Sequence, residues 1–182
     1  MATVLVPLAQ GCEELEAITI IDLLRRAGIN VVVAGLDQEP ILASRGTTLL
    51  PDTTLDKVGP GALDMIALPG GLPGADNLNN DPRIHALIQQ LSMSGKYVCA
   101  ICAAPKVLLN AGVLTGKRIT CYPGALSALD CSDITITSEP VVIDGNIITS
   151  RGPGTAIDFA LTLIETLAGT EKRNEVEAGL SR

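Results

Sequence analysis

The chain has 182 residues, 47% of them hydrophobic, and a formal net charge of -7. That length and apolar content suit one compact domain, residues 1–182, with a substantial core. The acidic balance, with one Phe, two Tyr and no Trp, disfavours a nucleic-acid surface, which needs a basic patch and rings for stacking. Mean hydropathy is +0.37, yet no run reaches the roughly 18 apolar residues of a membrane span. The N-terminal stretch MATVLVPLAQGCEELEA lacks the basic region of an export signal. Five cysteines, an odd number without such a signal, predict free thiols in a reducing cytoplasm. With a single histidine and no paired ligand motif, no metal site is expected.

Thr3 to Leu8 reads as a short apolar strand. Glu13, Glu14 and Glu16 then crowd the start of a helix that Arg25 and Arg26 close before Gly28. Leu15, Ile18, Ile21 and Leu24 give it an apolar stripe. Asn30 to Gly35 is nearly all apolar, as expected for a parallel strand covered on both faces. This βαβ opening lacks the G-x-G-x-x-G fingerprint of dinucleotide binding, and no cofactor is expected. Ile41 to Leu50 predicts a short hairpin or edge excursion around Ser44-Arg45-Gly46. Met65 to Leu68 is a buried strand running into Pro69-Gly70-Gly71-Leu72-Pro73-Gly74, where glycines let the backbone approach something small. Asp81 caps a helix whose apolar face is Ile84, Leu87, Ile88 and Leu91.

Tyr97 to Ile101 is an apolar strand that stops at Cys102, and an apolar helical face resumes at Val107. Strand, sharp turn and helix with a nucleophile at the turn make an elbow, which needs small residues two before and two after it. Ala100 and Ala104 meet that need, and Pro105 suits the first turn of the helix. A thiol there faces the positive end of a helix dipole, so a depressed pKa is expected for Cys102. The alternative is that Cys102 is simply core, as free cysteines often are. Cys99 and Cys102 form a C-x-x-C, but positions three apart on a strand point to opposite faces, so Cys99 reads as core and Cys102 as exposed in a cleft.

Arg118 to Cys121 predicts a further strand ending at Tyr122-Pro123-Gly124. Ile134 to Thr137 and Val141 to Thr149 predict antiparallel strands, the second folded about Asp144-Gly145. Thr155 with Asp158 resembles a capping box for a helix from Ala156 to Leu167, and Thr170 a cap for a last short helix. No repeat or long linker divides the chain. The alternation predicts an α/β sandwich with a mainly parallel sheet, whose functional loops gather at the carboxyl ends of the strands. The loops after Leu8, Leu68, Ile101 and Cys121 are thereby expected to converge.

A reactive thiol needs a proton partner and donors for developing oxyanion charge. The N–H groups of Gly71 and Ala103 can supply the donors, and one of the early glutamates the proton partner. A glutamate facing the sulfur in a dry cleft has its pKa raised. Helix periodicity does not choose among Glu13, Glu14 and Glu16, and all three also serve as ordinary N-terminal acids. His85, the only imidazole, falls off its helix's apolar stripe, which leaves no Cys–His dyad within the chain.

Taken together, AICAAP, LPGG, EELE and TSRGPGTAIDFAL resemble the ThiJ/PfpI superfamily, closest to the clade of the Parkinsonism-associated deglycase and its bacterial chaperone-like relatives. The resemblance spans nearly the whole chain. It implies a flavodoxin-like three-layer sandwich, a homodimer, Cys102 as the reactive cysteine and Glu16 as the acid beside it. Gly70, Gly71, Ala103 and Tyr122 are then the expected oxyanion and substrate contacts. The implied functions are glutathione-independent glyoxalase activity on small aldehydes, deglycation of their early adducts, oxidative-stress sensing and chaperoning. Tyr122 stands where deglycase-like members often carry histidine, which leaves proton transfer to Glu16. Ala103 stands where superfamily proteases place histidine, which argues against a protease.

Overall fold

The computed structural model describes residues 1–182. β1 (Thr3–Leu8), α1 (Glu14–Arg26) and β2 (Asn30–Gly35) form the βαβ opening. α1 begins where the Glu13 carboxylate, on an extended residue, accepts from the Glu16 amide at 2.8 Å. β3 (Ile41–Leu42) and β4 (Thr48–Leu49) make a small antiparallel hairpin outside the main sheet, as expected for Ile41 to Leu50. There follow β5 (Thr53–Thr54), β6 (Met65–Leu68), α2 (Leu72–Asn79), α3 (Pro82–Met93), β7 (Tyr97–Ile101) and α4 (Pro105–Asn110). β8 (Arg118–Thr120), β9 (Thr135–Thr137), β10 (Val141–Asp144), β11 (Ile147–Ser150) and α5 (Ala156–Gly179) complete the chain.

Seven strands form one sheet in the order β10-β11-β7-β6-β1-β2-β5. Every neighbouring pair is parallel except the β10–β11 hairpin. The fold is therefore the predicted flavodoxin-like α/β sandwich. Alternate strand residues feed two separate cores. Val4, Val6, Met65, Ala67, Cys99 and Ile101 pack under α1 and α5 around the single, fully buried Phe159. Leu5, Ile66, Leu68, Val98 and Ala100 pack on the opposite face against α3 and α4. A strand buried on both faces cannot alternate apolar with polar, which is why β1, β6 and β7 read as continuous apolar runs.

Four expectations are corrected. β9 does not pair antiparallel with the strand that follows it; it runs parallel to β8 in a separate two-stranded sheet, with Arg118 opposite Thr135. The glycine-rich loop after β6 winds into α2 at once, because Pro73 is tolerated in a first helical turn. Thr155 caps no helix with Asp158; its hydroxyl bonds back to Gly152, accepting from the amide at 3.1 Å and donating to the carbonyl at 3.0 Å. The helix from Ala156 does give way, as expected, to a last helical stretch at Gly169, where φ is 85°, but Thr170 donates its hydroxyl to the Glu165 carboxylate at 2.7 Å instead of capping it.

Candidate active site

β7, β6 and β1 are neighbours in the sheet, so their carboxyl ends deliver Cys102, Gly70-Gly71 and the loop before α1 to one place. Cys102 is the elbow. Its φ of 64° puts a side chain in the left-handed region, which costs a non-glycine residue about 1 kcal/mol or more. Neighbours fix that conformation on both sides: the Cys102 amide donates to the Ser150 carbonyl at 3.0 Å, and the Tyr122 amide donates to the Cys102 carbonyl at 2.9 Å. The elbow thus joins β11 to the loop carrying Tyr122, although β8 itself lies outside the main sheet.

Glu16 is fully buried, and its Oε2 accepts from the Gly70 amide at 2.8 Å. Its Oε1 is buried without a hydrogen-bond partner. A methyl group on Gly70 would lie 2.7 Å from Cβ of Cys102 and 2.8 Å from Oε2 of Glu16. Thiol and acid therefore face one another across the space that a glycine leaves, and Oε1 is the carboxyl oxygen that no hydrogen bond engages. Gly71 is equally constrained: φ is 84°, and a methyl group there would sit 2.5 Å from the Gly11 carbonyl oxygen.

The electrostatics differ from the expected depressed thiol. Burial, then the charge of Glu16, then hydrogen bonding with it push the Cys102 thiol up to about 12, against the Gly71 and Ala103 amides that pull it down. The helix behind the elbow has only six residues, and its favourable contribution reaches the sulfur as the Ala103 amide alone. Burial likewise raises Glu16 to about 7, with the Gly70 amide and Cys102 opposing. Burial thus pushes both groups toward their neutral forms, and the charge of Glu16 opposes ionisation of the sulfur beside it.

A cleft of about 470 Å³ opens above the sulfur. Cys102, only 8% exposed, forms its floor rather than an exposed wall. Glu13, Ser44 and Arg45 line one side and Tyr122 and Pro153 another. The family model that matches residues 2–166 is that of the DJ-1/PfpI family. The chain belongs to the DJ-1/PfpI family. Among relatives, it is 46% identical to Protein dj-1beta of Drosophila melanogaster over 177 residues, covering 97% of this chain and 95% of that protein. It is 38% identical to Glutathione-independent glyoxalase DJR-1.2 of Caenorhabditis elegans, covering 96% and 92%. The crystal structure of Drosophila melanogaster DJ-1beta superposes with a TM-score of 0.94 at 45% identity, covering 98% of this chain and 97% of that one.

In this DJ-1/PfpI chain the structure brings together Cys102, Glu16, Gly71, Ala103 and Tyr122. Gly70 is a correction: its amide is committed to Glu16 and its carbonyl accepts from the Glu13 amide at 3.0 Å, so it positions the acid and offers a ligand nothing. Glu13 caps α1, and Glu14 accepts from Ser44 Oγ at 3.0 Å and the Arg45 amide at 2.8 Å, which leaves Glu16 as the acid at the sulfur. The opposite-face argument for Cys99 does not apply to Cys102: β7 ends at Ile101, the turn re-aims the next side chain, and both cysteines border the same core. Cys99 is nonetheless fully buried. His85 bonds the Asn79 carbonyl at 2.7 Å on α3 and does not line the cleft. Missed from sequence were Ser44 and Arg45, whose place depends on the Glu14 contact, and Pro153, brought in by the turn after β11.

Proposed function

We propose that this chain is a cysteine-dependent, cofactor-independent glyoxalase or deglycase-like enzyme acting on glyoxal, methylglyoxal and their early adducts. The observation that carries the reading is the Cys102–Glu16 pair: a thiol at a strained elbow, with two backbone amides aimed at it and a buried acid of near-neutral pKa beside it. The name of the Caenorhabditis elegans relative supports the same chemistry.

As the Cys102 sulfur attacks the aldehyde carbon, its proton passes to Glu16, which hands it on to the carbonyl oxygen so that this becomes the hydroxyl of a hemithioacetal. The Gly71 and Ala103 amides stabilise the developing oxyanion. Glu16 then moves a proton from the former aldehyde carbon to the neighbouring ketone carbon through an enediol, oxidising the first and reducing the second. Water cleaves the resulting thioester, releasing a 2-hydroxy acid and the thiol. No external oxidant or reductant enters the balance. Replacing Cys102 by Ser tests the reading: methylglyoxal turnover falls to background, and unchanged turnover ends it.

A second reading is a redox sensor, supported by the same amides and by Glu16 Oε1, a buried oxygen left without a partner that can hydrogen-bond an oxidised sulfur. Selective gain of two oxygens on Cys102 after mild peroxide, with negligible aldehyde turnover, favours it. The proposed state is a homodimer, supported by Leu15 and Ile18 on α1, which are 50% and 46% exposed. Five free cysteines support a reducing compartment such as the cytoplasm.

A further inference from the structure

The cleft over Cys102 is far larger than the substrates so far named. At about 470 Å³ it lies within the range of about 300–1,000 Å³ that suits drug-sized ligands, whereas glyoxal and methylglyoxal fill a small fraction of it. Its walls are uneven in chemistry. Leu72, Pro73, Tyr122, Pro123, Ala125 and Pro153 give it an apolar side. Leu72 and Tyr122 are 64% and 51% exposed, large apolar side chains held at the mouth of the cleft and not in the core.

Both are fixed there by backbone. Leu72 opens α2 directly after the left-handed Gly71. Tyr122 is anchored through its amide to the Cys102 carbonyl, and its ring lies over Gly152, where a methyl group would stand 3.2 Å from the ring. Neither contact serves bond making at the sulfur. Side chains placed this way remove from water whatever extends outward from the reacting carbonyl.

We propose that the cleft selects 2-oxoaldehydes bearing an apolar substituent, aryl or branched alkyl, with Tyr122 and Leu72 as the residues that set this preference. The proposal rests on the aldehyde chemistry proposed above and adds the class of substituent. The reacting end meets Cys102 and the Gly71 and Ala103 amides, as any 2-oxoaldehyde does. The substituent lies between Leu72 and Tyr122, against Pro153.

The test compares kcat/KM for phenylglyoxal and glyoxal in the wild-type chain and in Tyr122→Ser and Leu72→Ser. The wild type favours phenylglyoxal by about tenfold or more, as pocket discrimination of an apolar group allows. Each substitution lowers that ratio about threefold or more, through KM. Equal use of both aldehydes by the wild type, or a ratio unmoved in both variants, overturns the proposal. A parallel measurement needs no turnover: alkylation of Cys102 by N-phenyl-iodoacetamide against iodoacetamide, each referred to its rate with free glutathione and read by peptide mass spectrometry. A preference for the phenyl reagent that both variants lose supports the apolar site even if no aldehyde is consumed, in which case the aldehyde chemistry alone fails. No preference in either assay overturns the apolar site itself.

Discussion

The Gly70 amide holds Glu16 Oε2 at 2.8 Å across 54 residues of sequence, and this bond fixes the buried carboxyl beside Cys102 while Oε1 stays without a partner. Because the acid is buried and its pKa is raised to about 7, it is strong enough as a base to take a proton and, once protonated, strong enough as an acid to give it back at neutral pH.

Glu16→Gln therefore lowers kcat for methylglyoxal by about 10²–10⁴-fold, the usual span for losing a positioned proton carrier. In the wild type kcat/KM rises with pH through about 7, as Glu16 ionises and can accept the thiol proton. Steady-state kinetics from pH 5 to pH 9 check both; a rate that falls through that range contradicts the assigned role.

The same carboxyl burdens the fold. Its folded value of about 7 lies above its ordinary 4.5, so between those limits the native chain keeps a proton that the unfolded chain has released. Stability from this group is therefore present at low pH and falls as pH rises from 4.5 to 7. At about 1.4 kcal/mol per unit, the ionised group costs the fold about 3 kcal/mol above that window. Glu16→Gln melts higher than wild type at pH 8 and level with it at pH 4. A gap of the same size at both pH values refutes this.

Gly71→Ala strains a left-handed position and drives a methyl group to 2.5 Å from a carbonyl oxygen. The expected loss is about 2 kcal/mol or more, a drop in melting temperature of about 4–8 °C for a chain of this size. Calorimetry decides it, and an unchanged melting temperature would show that the Gly11 segment yields freely.

Against desolvation, hydrogen bonds from its own backbone amide, then from Ser44, Thr47 and Arg45, hold Glu14 below the usual carboxylate range. Glu14→Ala releases that clamp and frees one wall of the cleft. Trypsin cuts after Arg45 about tenfold faster in the variant, as local opening becomes easier. Equal digestion rates would assign the loop's order to the β3–β4 hairpin alone.

Much of this architecture was legible because its strands are buried on both faces. Thr3 to Leu8, Met65 to Leu68 and Tyr97 to Ile101 announce themselves as short apolar runs, and Ala100, Ala104 and Pro105 mark the elbow. Asp81 caps its helix within two residues of sequence, so local chemistry sufficed there, whereas Glu13, legible only as one of three acids at a helix start, proves to be the cap of α1. Long-range facts did not show. α2 was hidden by Pro73 and Gly74, and a methyl group at Gly74 would stand 2.5 Å from Cα of Cys12, a contact sequence spacing cannot reveal. The pairing of β9 with β8 depended on tertiary context, as short exposed strands do. The thiol's raised pKa was missed because a helix dipole can be read from order, whereas burial beside a carboxylate cannot.

The most direct measurement is the pH dependence of Cys102 alkylation in wild-type and Glu16→Gln protein. Burial and the facing Glu16 charge predict a wild-type inflection well above 9 that moves to lower pH once that charge is gone. A wild-type inflection below 8, unmoved by the substitution, would mean that Cys102 ionises without reference to Glu16, and the pair would not be the working unit of this site.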